Sequence, residues 1–467
     1  MIDCLSKVPR PHVLLIQNSA EFREKNMQIS EKTQTSENSS LMPMLMIGGL
    51  FFIFGFITWL NGALVPFLQI VCDLNEIQAI LIASTFYFAY VVMALPMAKV
   101  IDRIGYKNAM SVGLFVIALG CVIYIPAAQI QSFSTFLFAQ FILGSGLTLL
   151  QTASNPYIVK IGPEQTAAVR ISIMGILNKM AGVLAPLFFT ALVLGGFEGI
   201  TVQVVSQLTE AERALKVNEL ASGLIYPYLA MAVSLLVLSA LMRKSRLPEL
   251  DLSEDDNNAP QSALIEAKLT DYPHLILGVV SLFFYVGIEV IAGDTIGLFG
   301  SQLGIANATS LTSFTMAFMV IGYVLGLCLI PKLLSERQAL LGSTIMGGFL
   351  TIAIVYSSTT STWISQLLWG WAGVLEVPNT ITFIALLGFA NAIVWPAIWP
   401  LALRGLGSYT AKGSALLIMG IAGGAILPLI YGVLSELFSH QSAYWMALPC
   451  YMFIFYYAMW GYKTGKK

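Results

Sequence analysis

The sequence predicts an all-α integral membrane protein: twelve transmembrane helices arranged as two parallel six-helix repeats. Three observations predict it. The 467-residue chain is 57% hydrophobic and only 10% charged, whereas soluble domains carry roughly 25% charged residues. Twelve apolar runs approach the ~20 residues that a helix needs to span a bilayer. A polar stretch at 243–272, "RKSRLPELDLSEDDNNAPQSALIEAKLTDY", divides those runs six and six. Helices are the natural reading because each satisfies its own backbone in lipid. A barrel would need alternating polarity, and these runs are apolar all round.

The elements follow in order. Residues 1–42 are polar and irregular and read as a disordered cytoplasmic tail ahead of an N-terminal half, 43–242. The first run, 43–70, holds Trp59, Asn61, Gly62 and Pro66 in "TWLNGALVP". The second, 79–101, leads into "IDRIGYKNAM", with Asp102, Arg103, Gly105 and Lys107, and the third covers 108–128. The fourth, 133–159, carries Gln151, Asn155 and Pro156 in "LLQTASNPYI". The fifth, 171–195, carries Asn178 and Lys179, and the sixth covers 223–242. The C-terminal half, 273–467, opens with 273–297, where "FFYVGIEVIAGDTIGLFG" places Glu289, Gly293 and Asp294. Runs at 308–331 and 338–358 follow. Trp363, Trp369 and Trp371 precede the tenth run and read as interfacial anchors. The tenth run, 380–403, contains Asn391, Trp395 and Trp399 with Pro396 and Pro400. Runs at 413–435, with the Gly423–Gly424 pair, and 443–462 complete the set.

Charge sets the orientation. With the N-terminus inside, sixteen of the 24 basic residues fall in cytoplasmic loops and five more in the tail, against Arg213 and Lys216 outside. Both termini are therefore expected in the cytoplasm. The halves also read as copies. "SIMGI" at 172–176 and "LIMGI" at 417–421 begin the fifth and eleventh runs, and Asn155-Pro156 and Trp399-Pro400 lie 244 positions apart. Each of those prolines precedes a basic residue by four positions, Lys160 and Arg404. Parallel repeats of this kind are a transporter pattern.

One basic residue is left inside a span, Lys179, and two of the 25 acids, Glu289 and Asp294. Each costs about 2.5–3.5 kcal/mol at a helix centre. Lys179 lies about 13 Å along its helix from Arg170, near the middle of a ~30 Å hydrocarbon core. Glu289 lies somewhat outward of it. Asp294 is expected near the outer interface, where it reads equally as a solvated helix end. The alternative for Lys179 and Glu289 is a structural ion pair. Otherwise these charges line a water-filled cavity, and a carboxylate there could take a proton from one side and release it on the other.

The polar groups Asn61, Gln151, Asn155, Asn178, Asn391, Trp395 and Trp399 fit a sugar site, because amides hydrogen-bond hydroxyls and indoles pack on the C–H face of a ring. Singly, each could equally be interhelical glue or an interfacial anchor. Prolines kink these segments, and the glycines permit close helix contact. The five cysteines are scattered without a CxxC pair, so neither disulfides nor a metal site is expected. Net charge of −1 leaves no basic face for nucleic acid. No metalloprotease, phosphate-loop or nucleophile-elbow motif is present, so the chain does not read as an enzyme and no cofactor is expected.

These segments carry a resemblance. "IDRIGYKNAM" resembles a worn form of the major-facilitator loop signature. "FGFITWLNGALVPFLQ", "LLQTASNPYIVKIGPEQTAAVRISIMGI", "GFANAIVWPAIWPLAL" and "YVGIEVIAGDTIG" resemble the fucose–proton symporter family, in the branch named for glucose/galactose transporters. The resemblance covers about 43–462. It implies the major-facilitator fold and a secondary monosaccharide transporter of a bacterial inner membrane, driven by a cation gradient. The ion it implies is H⁺, with Na⁺ the alternative. The partners it implies are a monosaccharide and membrane lipid, with a monomer as the functional unit. N-acetylglucosamine permeases are close relatives and remain an alternative, as does an uncoupled facilitator. A non-transporting sensor would need an output domain, and none is legible. Fucose permeases have an aspartate where this chain has Gly62 and a glutamate where it has Gln151. Asn178 matches the family's fifth-span asparagine and carries over as a sugar ligand. Lys179 is outside the fucose pattern, which makes Lys179, Glu289 and Asp294 the candidates for ion coupling. Asn61, Gln151, Asn155, Asn178, Glu289, Asn391, Trp395 and Trp399 are the candidates for substrate. Asp102, Arg103, Gly105 and Lys107 are candidates for a conformational loop.

Overall fold

A computed structural model describes residues 42–161, 167–193, 204–205, 207–245, 247–248, 272–305, 307–330, 333–406 and 410–465. The tail expected to be disordered, and most of the expected linker, lie outside them. Eleven described helices are long and apolar enough to cross a membrane. They are α1 (Met42–Val71), α2 (Glu76–Ile104), α3 (Tyr106–Gln129), α4 (Phe133–Lys160), α5 (Ala167–Val193), α6 (Glu210–Lys244), α7 (Pro273–Gln302), α8 (Ala308–Leu329), α9 (Glu336–Tyr356), α10 (Asn379–Leu403) and α11 (Leu416–Leu437). The twelfth expected span differs. Here α12 is His440–Met459, and a 3-10 turn at Tyr444–Met446 cuts it into a short helix and a 13-residue one.

Other departures have local causes. The sixth helix starts at Glu210, well before the expected 223. Its first turns, "EAERALKVNELASG", are polar, so hydropathy does not find them. Thr209 and Glu212 close a capping box there and fix the start. The tenth helix breaks between Asn391 and Val394. Pro396 has no N–H to donate to the carbonyl four residues back, at Ala392, where the helix breaks. Between α2 and α3, Gly105 adopts φ 78°, so one glycine serves as C-cap and N-cap in succession. An L-residue pays for that backbone, which explains the glycine of the loop signature. Around it Asp102 and Arg103 are exposed, and Lys107 Nζ donates to the Ser245 carbonyl at 3.3 Å, tying the loop to the end of α6. Trp363 and Trp371 are exposed as interfacial anchors would be, but Trp369 is core, packed on Phe314 and Phe318.

Helix packing groups α1–α6 and α7–α12 as two halves. Contacts are extensive between α3 and α4, α3 and α6, α2 and α4, and likewise between α9 and α10, α9 and α12, α7 and α11. The halves meet along α5–α8 and α2–α11. One end of the bundle bears Lys99, Arg103, Arg243, Lys244, Arg337, Arg404 and Lys463, and is called the basic face. At the opposite face the halves are closed on each other. Thr190 and Thr309 hydroxyls lie 2.8 Å apart there, and Ser313 Oγ donates to the Val183 carbonyl at 2.7 Å.

Candidate functional site

Glycines set how closely the halves approach. A Cβ on Gly62 of α1 would lie 2.1 Å from Thr312 Oγ1 and 2.8 Å from the Gly293 carbonyl, both in the C half. Trp59, one turn earlier, is wedged between Gly182 of α5 and Gly293 of α7, whose added Cβ atoms would sit 2.7 and 2.5 Å from the indole. Thr312 Oγ1 donates to the Gly293 carbonyl at 2.7 Å and Thr315 Oγ1 to that of Ala292 at 3.0 Å, pinning α8 against α7.

This close approach brings the membrane charges together. Lys179 Nζ of α5 lies 2.5 Å from Glu289 Oε1 of α7, and both residues are buried, at 7% and 6% exposure. The pair therefore joins the two halves. The ammonium also lies 4.2 Å from the centroid of the Trp59 ring, a cation–π contact worth roughly 2 kcal/mol when desolvated. Tyr285, Tyr323 and Tyr451 of the C half and Tyr87 of the N half lie within electrostatic reach of the Glu289 carboxylate.

Asp294 corrects one expectation. It ends the first part of α7, Pro273–Asp294, yet it is only 2% exposed, not a solvated helix end. The chain continues as a second helical stretch, Ile296–Gln302, which is also buried and covers it. Neither carboxylate oxygen has a hydrogen-bond partner among the described residues, and the Tyr87 hydroxyl is the polar group facing it.

The amides and indoles divide into two sets. Gln151, Asn155, Asn178, Trp395 and Trp399 are partly exposed. Gln151 and Asn155 lie in the last turns of α4 and the two indoles in the last turns of α10, on the basic-face side. The indoles are 5.7 Å apart, and Tyr285 lies 6.3 Å from Trp395. Asn178 bridges helices: its Oδ1 accepts from Trp59 Nε1 at 3.4 Å and its Nδ2 donates to the Phe51 carbonyl at 3.3 Å.

Asn61 and Asn391 do not join that surface. Both are buried in their own halves, at 2% and 1% exposure. Asn61 Oδ1 accepts from Gln140 Nε2 at 2.7 Å, and Asn391 Oδ1 accepts from the Tyr451 hydroxyl at 2.8 Å. The Nδ2 of each is left without a partner among the described residues. Each carbonyl is occupied and each amide N–H is available. Gln140 and Tyr451 were absent from the sequence-based list. An amide in mid-span was the available signal for Gln140; nothing marks Tyr451 among 18 tyrosines.

The arrangement is thus two helical halves closed at one end. An ion pair lies across their interface, and polar and aromatic groups are exposed toward the other end. A family model described as Major Facilitator Superfamily matches residues 47–422. The chain is 33% identical over 420 residues to the glucose/galactose transporter of Brucella abortus biovar 1 (strain 9-941), covering 89% of this chain and 93% of that protein. It is 25% identical over 451 residues to the L-fucose-proton symporter of Escherichia coli (strain K12), covering 93% and 96%. Among solved structures it resembles the transporter FucP in the outward conformation, with a TM-score of 0.67 and 24% identity over 91% of this chain and 99% of that one.

Proposed function

The chain belongs to the Major Facilitator Superfamily, and from that premise we propose that it imports a monosaccharide of the glucose/galactose type by proton symport. It is a multi-pass membrane protein, and the family and relatives are transporters rather than enzymes. The single observation that carries the coupled reading is the buried Lys179–Glu289 pair between the halves. A charge pair that spans a moving interface must be broken or neutralised whenever the halves separate. Protonating Glu289 discharges its side of the pair. The two halves, 43–242 and 273–467 joined by a linker at 243–272, rock about this point in alternating access. The positive-inside pattern makes the basic face cytoplasmic, so the described conformation is closed to the outside. Gln151, Asn155, Asn178, Trp395 and Trp399 then face the cytoplasmic opening as the sugar surface, while Asn61 and Asn391 stay buried behind it, one in each half, and reach the sugar only through their unpartnered Nδ2 groups when the halves move. Asp294, buried beside Tyr87, is the second proton site.

The test is uptake of labelled glucose, galactose and N-acetylglucosamine into proteoliposomes, with and without an inward proton gradient. Concentrative uptake of glucose or galactose that a protonophore abolishes is the expected result. Concentration of N-acetylglucosamine alone would reassign the substrate. Uptake that only equilibrates, with sodium present or absent, would remove the coupling.

Tyr451→Phe supplies a finer check. It strips Asn391 Oδ1 of its donor, and a neutral hydrogen bond of this kind is worth about 1 kcal/mol. The KM for the sugar should rise about fivefold with the maximal rate little changed. An unaltered KM would remove Asn391 from the site.

A further inference from the structure

A second charged cluster joins the halves far from the Lys179–Glu289 pair. Glu76 is the first residue of α2, held by the Asn75–Gln78 capping box. Three C-half groups converge on its carboxylate. Gln302 Nε2, at the end of α7, donates to Oε1. Ser435 Oγ of α11 donates to Oε2 at 3.3 Å, and His440 Nε2 of α12 lies 3.0 Å from the same oxygen. Just beneath, α2 and α11 touch: an added Cβ on Gly432 would lie 2.9 Å from Ile80 Cδ1.

His440 is itself built in. It is 4% exposed, with its ring stacked on Phe299 at 5.4 Å. The Tyr431 hydroxyl donates to the His440 carbonyl at 3.3 Å and lies 3.1 Å from His440 Nδ1. If that hydroxyl gives its proton to the carbonyl, it accepts from Nδ1–H; if it gives it to Nδ1, a neutral ring carries its proton on Nε2. In the first arrangement a neutral ring turns an Nε2 lone pair on the Glu76 carboxylate. The 3.0 Å approach of Nε2 to Glu76 is an ion-pair distance and not a hydrogen bond, and only the doubly protonated ring carries the charge that makes it attractive while keeping both Tyr431 contacts. The titratable groups around it are Glu76 from α2, Tyr431 from α11 and Tyr444 from its own helix. Glu436 lines the same cavity of about 410 Å³, which lies beside the pair and gives protons access.

We propose that Glu76 and His440 form the gate that closes the transport path at the face opposite the basic one, and that a proton on His440 holds this gate shut. The proposal rests on the transporter reading and adds a residue pair and a regulation to it. The sign is fixed by charge. With His440 protonated, an imidazolium faces a carboxylate and the closed state is favoured. With His440 neutral, Glu76 keeps only its bonds to Gln302 and Ser435 and the gate loosens. Acid on that face therefore drives closure and alkali releases it.

The test uses the full chain in lipid nanodiscs, with its native cysteines replaced and spin labels at Ile130→Cys and Phe438→Cys. Both positions are exposed, at the same end of the bundle on opposite halves. Between about pH 8 and about pH 5.5 the ratio of short to long label separation should rise about threefold, the scale of a partly exposed ion pair. His440→Gln should abolish the pH response. Glu76→Gln should do so too, and it changes a less buried side chain that can still bond Gln302. A wild-type ratio that ignores pH, or a response that survives in either variant, overturns the gate. The measurement needs no sugar. A pH-dependent separation in a protein that moves no sugar would leave the gate standing and overturn the transport reading alone.

Discussion

Glu289→Gln is expected to abolish concentrative sugar uptake and to destabilise the protein by about 3–5 kcal/mol, the cost of stripping a buried ion pair of one partner. The reason is the burial of Lys179, which the structure leaves at 7% exposure against the Trp59 ring. Without that carboxylate its ammonium loses its contact counter-charge, and only the more distant Asp294 acts on it. The double variant Lys179→Met, Glu289→Gln removes both charges with little change in volume. It should recover most of the lost stability, since an apolar replacement of a buried pair is often neutral or better. It should not recover accumulation, because the carboxylate whose protonation breaks the pair is gone. Thermal unfolding of the wild type, Glu289→Gln, Lys179→Met alone and the double variant gives the coupling energy of the pair, and uptake under a proton gradient gives its function. Recovery of both stability and accumulation in the double variant would make the pair structural and move the proton to Asp294. In that case Asp294→Asn, which removes a carboxylate with no bonded partner, becomes the variant that stops accumulation while downhill flux continues.

Much of this architecture was legible in the sequence because lipid imposes one solution on the backbone. Eleven of the twelve expected runs are long apolar helices, and their bounds follow hydropathy except where polarity hides a helix, as at Glu210. The charges Lys179 and Glu289 stood out for their cost, but their meeting could not be read. It depends on how α5 and α7 are rotated, and Gly182 and Gly293 fix that by admitting the Trp59 ring. The solvated-end reading of Asp294 fails because depth along a helix does not report what packs over its end. Glu76 and His440 lay at span ends, where charge is cheap and carries no signal. Their partnership arises only from the contact of α2 with α11 across the two halves. Asn61 and Asn391 were recognised as polar, while Gln140 and Tyr451, which occupy their carbonyls, belong to tertiary structure alone.

Gly62→Asp is expected to be as damaging as loss of Glu289, by a different route. The resemblance read from the sequence implies an aspartate here in fucose permeases, so the substitution looks like a reversion. The structure predicts otherwise. The first added carbon would overlap Thr312 Oγ1 at 2.1 Å and press on the Gly293 carbonyl at 2.8 Å, and a carboxylate would follow it into the seam between the halves. Overpacking of this kind costs about 1–3 kcal/mol, before any cost of burying a charge, and the whole penalty falls on the closed state. The equilibrium should shift about 5- to 150-fold toward the state open at that face. Transport stops because the cycle cannot close, while folding is spared because the open state has no collision to relieve. Gly62→Ala should show a milder form of the same defect. Thr312→Ala should relieve it in part, since it removes both Oγ1 and Cγ2 but leaves the Gly293 carbonyl in place. The readouts are sugar uptake and the separation of labels at Ile130→Cys and Phe438→Cys. A Gly62→Asp protein that transports normally, or that stays closed at that face, would show that Gly62 is not at the contact on which closure turns.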